Sequence, residues 1–111
     1  MAKYIVASED CPFGCGFPVI FLKANTSQIF CHCDSCGMVW MHPSEAQWGF
    51  EGHYPICDLS DITLNKVEAP TESEIEALGW GEWVFGEIDE SEWWTTLDEI
   101  NSRLATKIIP P

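Results

Sequence analysis

Five of the six cysteines, Cys11, Cys15, Cys31, Cys33 and Cys36, crowd into one N-terminal stretch, and only Cys57 stands apart. Thiols gathered in this way form disulfides, act as redox nucleophiles or bind a metal ion. Cys11-Pro-Phe-Gly-Cys15 and, after seventeen intervening residues, Cys33-Asp-Ser-Cys36 make a C-x3-C and a C-x2-C pair, close to the spacing of a tetrahedral four-thiolate zinc site. Two thiolates this close in sequence reach one ion only where the backbone turns tightly between them. A glycine just after the second thiolate admits the positive φ such a knuckle needs, and Gly16 and Gly37 stand at those positions. Cys11, Cys15, Cys33 and Cys36 are therefore the expected ligands. Four thiolates close the coordination shell and leave no place for water or substrate, so the expected cofactor is a structural Zn2+ and not a catalytic one. Iron fits the same spacing; with no redox motif elsewhere in the chain, zinc is favoured.

Certain elements must hold the two knuckles. Val19-Ile-Phe-Leu22 and Gln28-Ile-Phe-Cys31 are β-rich runs joined by Ala24-Asn-Thr-Ser27, a turn-forming composition, which predicts a hairpin between the knuckles. A third apolar run, Met38-Val-Trp-Met41, leaves the second knuckle. From Cys11 to Trp40 the chain resembles the zinc-ribbon family, in which two knuckles on adjacent hairpins grip one structural zinc, and the string Cys33-Asp-Ser-Cys-Gly-Met-Val-Trp40 is the most typical part. The resemblance covers about a quarter of the chain, and it departs from the commonest pattern in the three-residue gap of the first knuckle and in the extra Cys31 and His32. It favours Cys33 over Cys31 as third ligand, because ribbons usually carry an apolar residue at the upstream strand position; His32 is a reserve ligand.

Beyond the ribbon-like part, His42 to Pro55 mixes glycine, proline and aromatics, which predicts a packed loop with one helical turn at Ser44 to Trp48. Ile56 to Leu64 alternates apolar and polar residues partway, as a half-buried strand does. Thr71-Glu-Ser-Glu74 has capping-box spacing, Ile75 and Leu78 supply an apolar edge, and Gly79 sits where a helix stop belongs. Trp80 to Gly86 reads as strand or turn. Asp89-Glu-Ser-Glu92 repeats the capping signature, and Trp93, Leu97, Ile100 and Leu104 recur at helical spacing, with Arg103 and Lys107 near the end to complement the helix dipole. The expected fold class is α+β: N-terminal zinc-ribbon-like antiparallel β hairpins (about 8–42), then a further strand and one or two C-terminal helices (about 54–108). The 111 residues suffice for a single domain with one core.

Charge narrows the function. Five Lys+Arg against eighteen Asp+Glu leave a net charge of −13. Such a polyanion is repelled by phosphate backbones and anionic lipids, so neither nucleic acid nor membrane is an expected direct partner. No run approaches the roughly eighteen apolar residues that cross a bilayer, and the start of the chain has no signal-peptide core, so a cytoplasmic location is expected. There, cysteines stay reduced and serve as ligands or free thiols. The placement of charge says more than its sum: no Lys or Arg occurs from Val67 to Ser102, a segment holding eleven acids. Within it Trp80, Glu82, Trp83, Glu87, Asp89, Glu90, Glu92 and Trp94 interleave aromatics with carboxylates, the composition of a recognition face for a basic protein. Solvation accounts for such acids equally well, and a core position accounts better for Trp93.

No catalytic constellation accompanies this. His32, His42 and His53 form no metal pair at helical spacing and flank no nucleophile; His42 and His53 read as loop residues. Cys57, next to Asp58, lacks a basic neighbour to lower its pKa. Gly79, Gly81 and Gly86 lack the spacing and the lysine of a phosphate loop. The expected function is that of a non-enzymatic, acidic, zinc-bearing binding module. In size, acidity and aromatic content the chain is similar to the immunity proteins with which bacteria neutralise basic toxin domains, and that likeness implies a basic protein partner, such as a cognate toxin. The alternative is an accessory zinc-ribbon subunit or adaptor in transcription or translation machinery, although the knuckle intervals here carry Phe13, Asp34 and Ser35 where nucleic-acid-binding ribbons usually show Lys and Arg.

Overall fold

The computed structural model describes residues 3–9, 11, 18–24, 28–33, 38–46, 57–58, 66–93 and 96–108. Their class is α+β, an antiparallel sheet with two short C-terminal helices. Strands β1 (Lys3–Ser8), β2 (Val19–Ala24), β3 (Ile29–Cys33), β4 (Met38–Trp40), β5 (Cys57–Asp58), β6 (Val67–Glu68) and β7 (Gly86–Asp89) join in the order β5-β4-β3-β2-β1-β7, while β6 pairs with the end of β2 through Lys23↔Glu68 and Ala24↔Val67. Helix α1 covers Glu72–Ala77 and helix α2 covers Leu97–Ile108.

The hairpin expected between the knuckles is β2 and β3, in register from Val19↔Cys33 to Lys23↔Ile29. The apolar run after the second knuckle is β4, held to β3 by Cys31↔Trp40 and His32↔Val39. Around this frame the structure adds strands beyond the one further strand expected. On the other side of β2 lies β1, with one extra residue on β1 between Val6 and Ser8, and β1 also pairs with β7 from much later in the chain. Of the strand expected over Ile56 to Leu64, Cys57 and Asp58 form β5; the remainder lies outside the described residues.

The sheet is buried on both faces. Tyr4, Val6, Ile20, Leu22, Phe30 and Val39 point to one side together with Val67 of β6, and Trp93 and Ile100 close over them. Ile5, Ala7, Val19, Phe21, Cys31, Cys33 and Trp40 point to the other, beneath Ala46, Ile75, Trp80, Trp83 and Val84. Strands covered on both faces read as continuous apolar runs rather than alternating ones, and Tyr4 to Ala7 and Val19 to Leu22 are such runs.

Each cover has a visible local cause. Thr71 accepts the Glu74 N–H at 3.2 Å while the Glu74 carboxylate accepts the Thr71 N–H at 3.0 Å, the complete capping box that starts α1. Gly79, at φ 78°, takes the left-handed conformation that ends it. Of the helical turn expected at Ser44 to Trp48, Ser44 to Ala46 lie in a 3-10 turn over Pro43–Ala46, and Gln47 and Trp48 lie outside the described residues. A second such turn, Gly81–Trp83, leads into β7, so the Trp80 to Gly86 segment is first turn and then strand.

The second capping signature requires correction. Asp89 does cap, accepting the Ser91 N–H at 3.0 Å, but what it starts is a 3-10 turn over Glu90–Glu92 that Trp93 ends in extended conformation. Trp93 is therefore not part of α2. The helix begins after Thr96, whose hydroxyl accepts the Glu99 N–H at 3.2 Å. Thr96-Leu-Asp-Glu99 is itself a Ser/Thr-x-x-Glu string, and Glu90 supports the same end by accepting the Leu97 N–H at 2.9 Å.

Candidate metal centre and acidic surface

The thiols are organised by strand alternation. Cys31 and Cys33, two residues apart on β3, face the same side, and Cys11 joins them in the same buried cluster. All three are at 0% exposure. Cys33 stands opposite Val19 in the register, and β1 reaches the same Val19 at Ser8, three residues before Cys11. Of the four expected ligands, Cys11 and Cys33 thus share one cluster at one end of the sheet; Cys15 and Cys36 lie outside the described residues. Among the described residues no group of three or more His, Cys, Asp or Glu converges on a point.

Sulfur is a donor for soft divalent ions. A buried thiolate is costly unless a cation or hydrogen bonds compensate it, and sulfur ligands select zinc or iron over hard cations. Cys31 faces the same cluster, paired across the strands with Phe21 and Trp40. His32, the reserve ligand, stands between Ile20 and Val39, members of the opposite cluster, so alternation turns it away from the sulfurs. Cys57, on β5, pairs with Val39. His53 lies outside the described residues.

One cluster beside the thiols carries no sequence motif. The half-buried His42 ring meets Trp80 edge-on at 5.3 Å and Trp83 at 6.2 Å, and Trp80 stacks on Phe21 of β2 at 6.3 Å. His42 Nδ1 accepts the Ser44 N–H at 3.1 Å and lies 2.8 Å from the Ser44 hydroxyl. That backbone bond makes Nδ1 the acceptor and leaves the ring proton on Nε2 in the neutral form. His42 so ties the first 3-10 turn to the second over the sulfur-bearing face. Only the apolar–aromatic composition near Trp80 and Trp83 hinted at this; the spacing from His42 gives no signal.

The eight residues singled out for partner binding divide by position. Trp80 and Trp83 are half-buried supports of the thiol face. Glu82, Glu87 and Glu92 are exposed. Asp89 and Glu90 are half-buried and hold the turn and the helix start described above; the Ser91 N–H and hydroxyl, both bonded to Asp89 Oδ1, keep its carboxyl below the usual carboxylate range. Trp94 lies outside the described residues. Trp93 is core, edge-on to Tyr4 at 5.6 Å.

Further acids, Glu72, Glu76, Asp98 and Glu99, are exposed along α1 and at the start of α2. Among the described residues only two ion pairs form. Lys3 meets Glu87 at 3.3 Å with both side chains about half exposed, and Lys23 holds Glu74 on α1. The Lys23 hydrogen bond, with the Thr71 N–H behind it, lowers the Glu74 pKa, and the same bond raises that of Lys23. No helix among the described residues is long and apolar enough to cross a membrane. No protein-family model matches the chain, and neither a curated protein nor a solved structure matches it.

Proposed function

We propose that the protein is a non-enzymatic, cytoplasmic binding module that offers carboxylates to a basic protein, most specifically an immunity protein that neutralises a cationic toxin domain. The observation that carries this reading is the imbalance on the described surface: Glu72, Glu76, Glu82, Glu87, Glu92, Asp98 and Glu99 are exposed, and of these only Glu87 meets a lysine. Carboxylates in that number steer a cationic partner into encounter and occupy the Lys and Arg side chains that would otherwise hold phosphate.

On the same reading Cys11, Cys15, Cys33 and Cys36 hold a structural zinc, which supplies a cross-link beneath the sheet face that short turns cover. The buried, clustered Cys11 and Cys33 thiols support this assignment. A closed thiolate shell adds negative charge and no reactive position, in keeping with binding rather than catalysis.

The test is co-purification of the tagged protein with the product of the adjacent reading frame, followed by titration of the purified pair at low and at moderate salt. A cationic partner bound at micromolar affinity or tighter, with association slowed by salt, is the expected result. Failure of any basic protein to bind at low salt overturns the reading, and a gel shift with RNA or DNA at moderate salt would put the ribbon adaptor of transcription or translation in its place.

A further inference from the structure

Strand β7 ends the sheet. It pairs with β1 from Val6↔Gly86 to Lys3↔Asp89, and among the described residues no strand lies along its other side. The outer edge of such a strand carries main-chain donors and acceptors that can pair with another chain. Phe85 immediately precedes it, and its N–H is bound to the Val6 carbonyl at 2.8 Å, so the sheet and not a loose loop positions this side chain. The Phe85 ring is nevertheless 63% exposed, the larger of the two exposures among big apolar residues on the described surface.

Alternation places the acids of this edge. Glu87 stands opposite Ile5 and Asp89 opposite Lys3, so the two acids fall on one side of the edge, while Phe85, whose N–H bonds to the Val6 already opposite Gly86, stands just before the paired stretch. Cross-strand neighbours favour aromatic with β-branched pairs and opposite charges, and penalise like charges. A second copy of the chain laid antiparallel on this edge would bring acid against acid. A strand carrying two basic side chains two residues apart, with an apolar residue beyond them toward Phe85, meets opposite charges at the acids and an apolar surface at the end of the edge. The Lys3–Glu87 pair is no obstacle, because an exposed pair of this kind contributes little.

We propose that the outer edge of β7 receives a cationic β-strand of the partner protein by strand addition, with Phe85 as its apolar contact and Glu87 and Asp89 as its counter-charges. This rests on the reading of a module for a basic partner, and it adds where the partner sits and what secondary structure it contributes. Main-chain bonds along the edge supply affinity, and the alternating side chains supply selectivity.

The probe is a blocked peptide, Thr-Lys-Thr-Lys-Thr-Ile-Thr, with its reverse for the parallel orientation, titrated at millimolar concentration into isotope-labelled full-length protein. Expected are shift changes confined to β7 and its flanks, weakened by up to about fivefold in Phe85→Ala and again in Glu87→Gln, with the melting temperature unchanged because both side chains are exposed. Glutamate in place of lysine, or N-methylation of the peptide backbone, should abolish binding. No shift with either peptide, shifts centred elsewhere, or equal binding of the N-methylated peptide overturns the proposal. A basic partner protein that binds equally well to the parent, to Phe85→Ala and to Glu87→Gln also overturns it while leaving the proposed function intact. Absence of any basic partner removes that function, and the peptide result then decides the edge alone.

Discussion

The two faces of the sheet are both buried and are closed by different means. Over Tyr4, Leu22 and Phe30 lies a helix of 12 residues whose Ile100 is 1% exposed. Over Phe21, Cys31 and Cys33 lie the six-residue α1 and two 3-10 turns. A helix of about three turns lays apolar side chains such as Leu97 and Ile100 on the sheet and holds itself together by its own hydrogen bonds. Single turns do neither, being too short to be stable apart from what they pack on. The face with the weaker cover is the one that carries the thiols, which is where a metal cross-link would add most.

Removing the proposed cross-link is the sharpest way to break the contrast. Cys33→Ser is expected to abolish zinc binding, and the apparent free energy lost is roughly 10 kcal/mol or more, as for small structural sites. Metal content per chain and Trp fluorescence check it: the emission of Trp80 and Trp83 should move to the red as their cover loosens. Chelated protein that keeps its melting temperature would show that the sulfur-bearing face closes without metal.

The helix-covered face answers to hydrocarbon instead. Ile100→Ala is expected to cost about 2–5 kcal/mol in denaturant unfolding, since it empties a fully buried site under α2. The loss should be the same with and without chelator. If it depends on metal, the faces are coupled more tightly than their covers imply. A smaller effect on the same side is expected from Asn101→Ala. The Asn101 amide accepts the Val67 N–H at 2.8 Å and donates to the Val67 carbonyl at 3.1 Å, fastening the two-residue β6 to α2. Losing both bonds should cost about 1–3 kcal/mol, visible as faster amide exchange at Val67.

What the sequence disclosed follows the same division. Thr71, Glu74 and Gly79 act through neighbours a few residues away, and the helix they bound stands where the pattern puts it. The hairpin of β2 and β3 was legible for the same reason, a turn-forming stretch between two β-rich runs. Strand β1 was not, because Tyr4 to Ala7 are all buried and offer no alternation, and its partner Gly86–Asp89 lies at the other end of the chain. Asp89 misled because an aspartate cap looks alike before a 3-10 turn and before a helix; only the extended backbone of Trp93 separates the two. In the thiol cluster the knuckle spacing marked Cys11 and Cys33, but that Cys31 shares their face and His32 does not became clear only from the register of β3.

The weaker cover also contains the smallest expected effect, and one that pH can reveal. Glu74 serves two ends: its carboxylate accepts the Thr71 N–H that begins α1 and receives the Lys23 ammonium from β2, so one side chain binds the short helix to the sheet. The Lys23 bond first, then the Thr71 backbone bond, lowers its pKa in the folded state. A carboxyl with a depressed folded value contributes stability above the ordinary glutamate range and loses it as pH falls through the folded value. Lys23, raised by the same bond, loses its share only as pH climbs past the usual lysine range. Acid titration of the melting temperature should therefore show a step below the ordinary glutamate range that Glu74→Gln reduces and Ile100→Ala leaves in place, the share of Asp89, held low by Ser91, persisting in both. Thr71→Ala, which deletes the hydroxyl half of the box, should cost about 1 kcal/mol and keep most of that step, because the Lys23 partner and the Thr71 backbone N–H remain. If Thr71→Ala erased the acid step altogether, the coupling between α1 and the sheet would run through the cap and not through Lys23, and the thin cover would be held by the helix end alone.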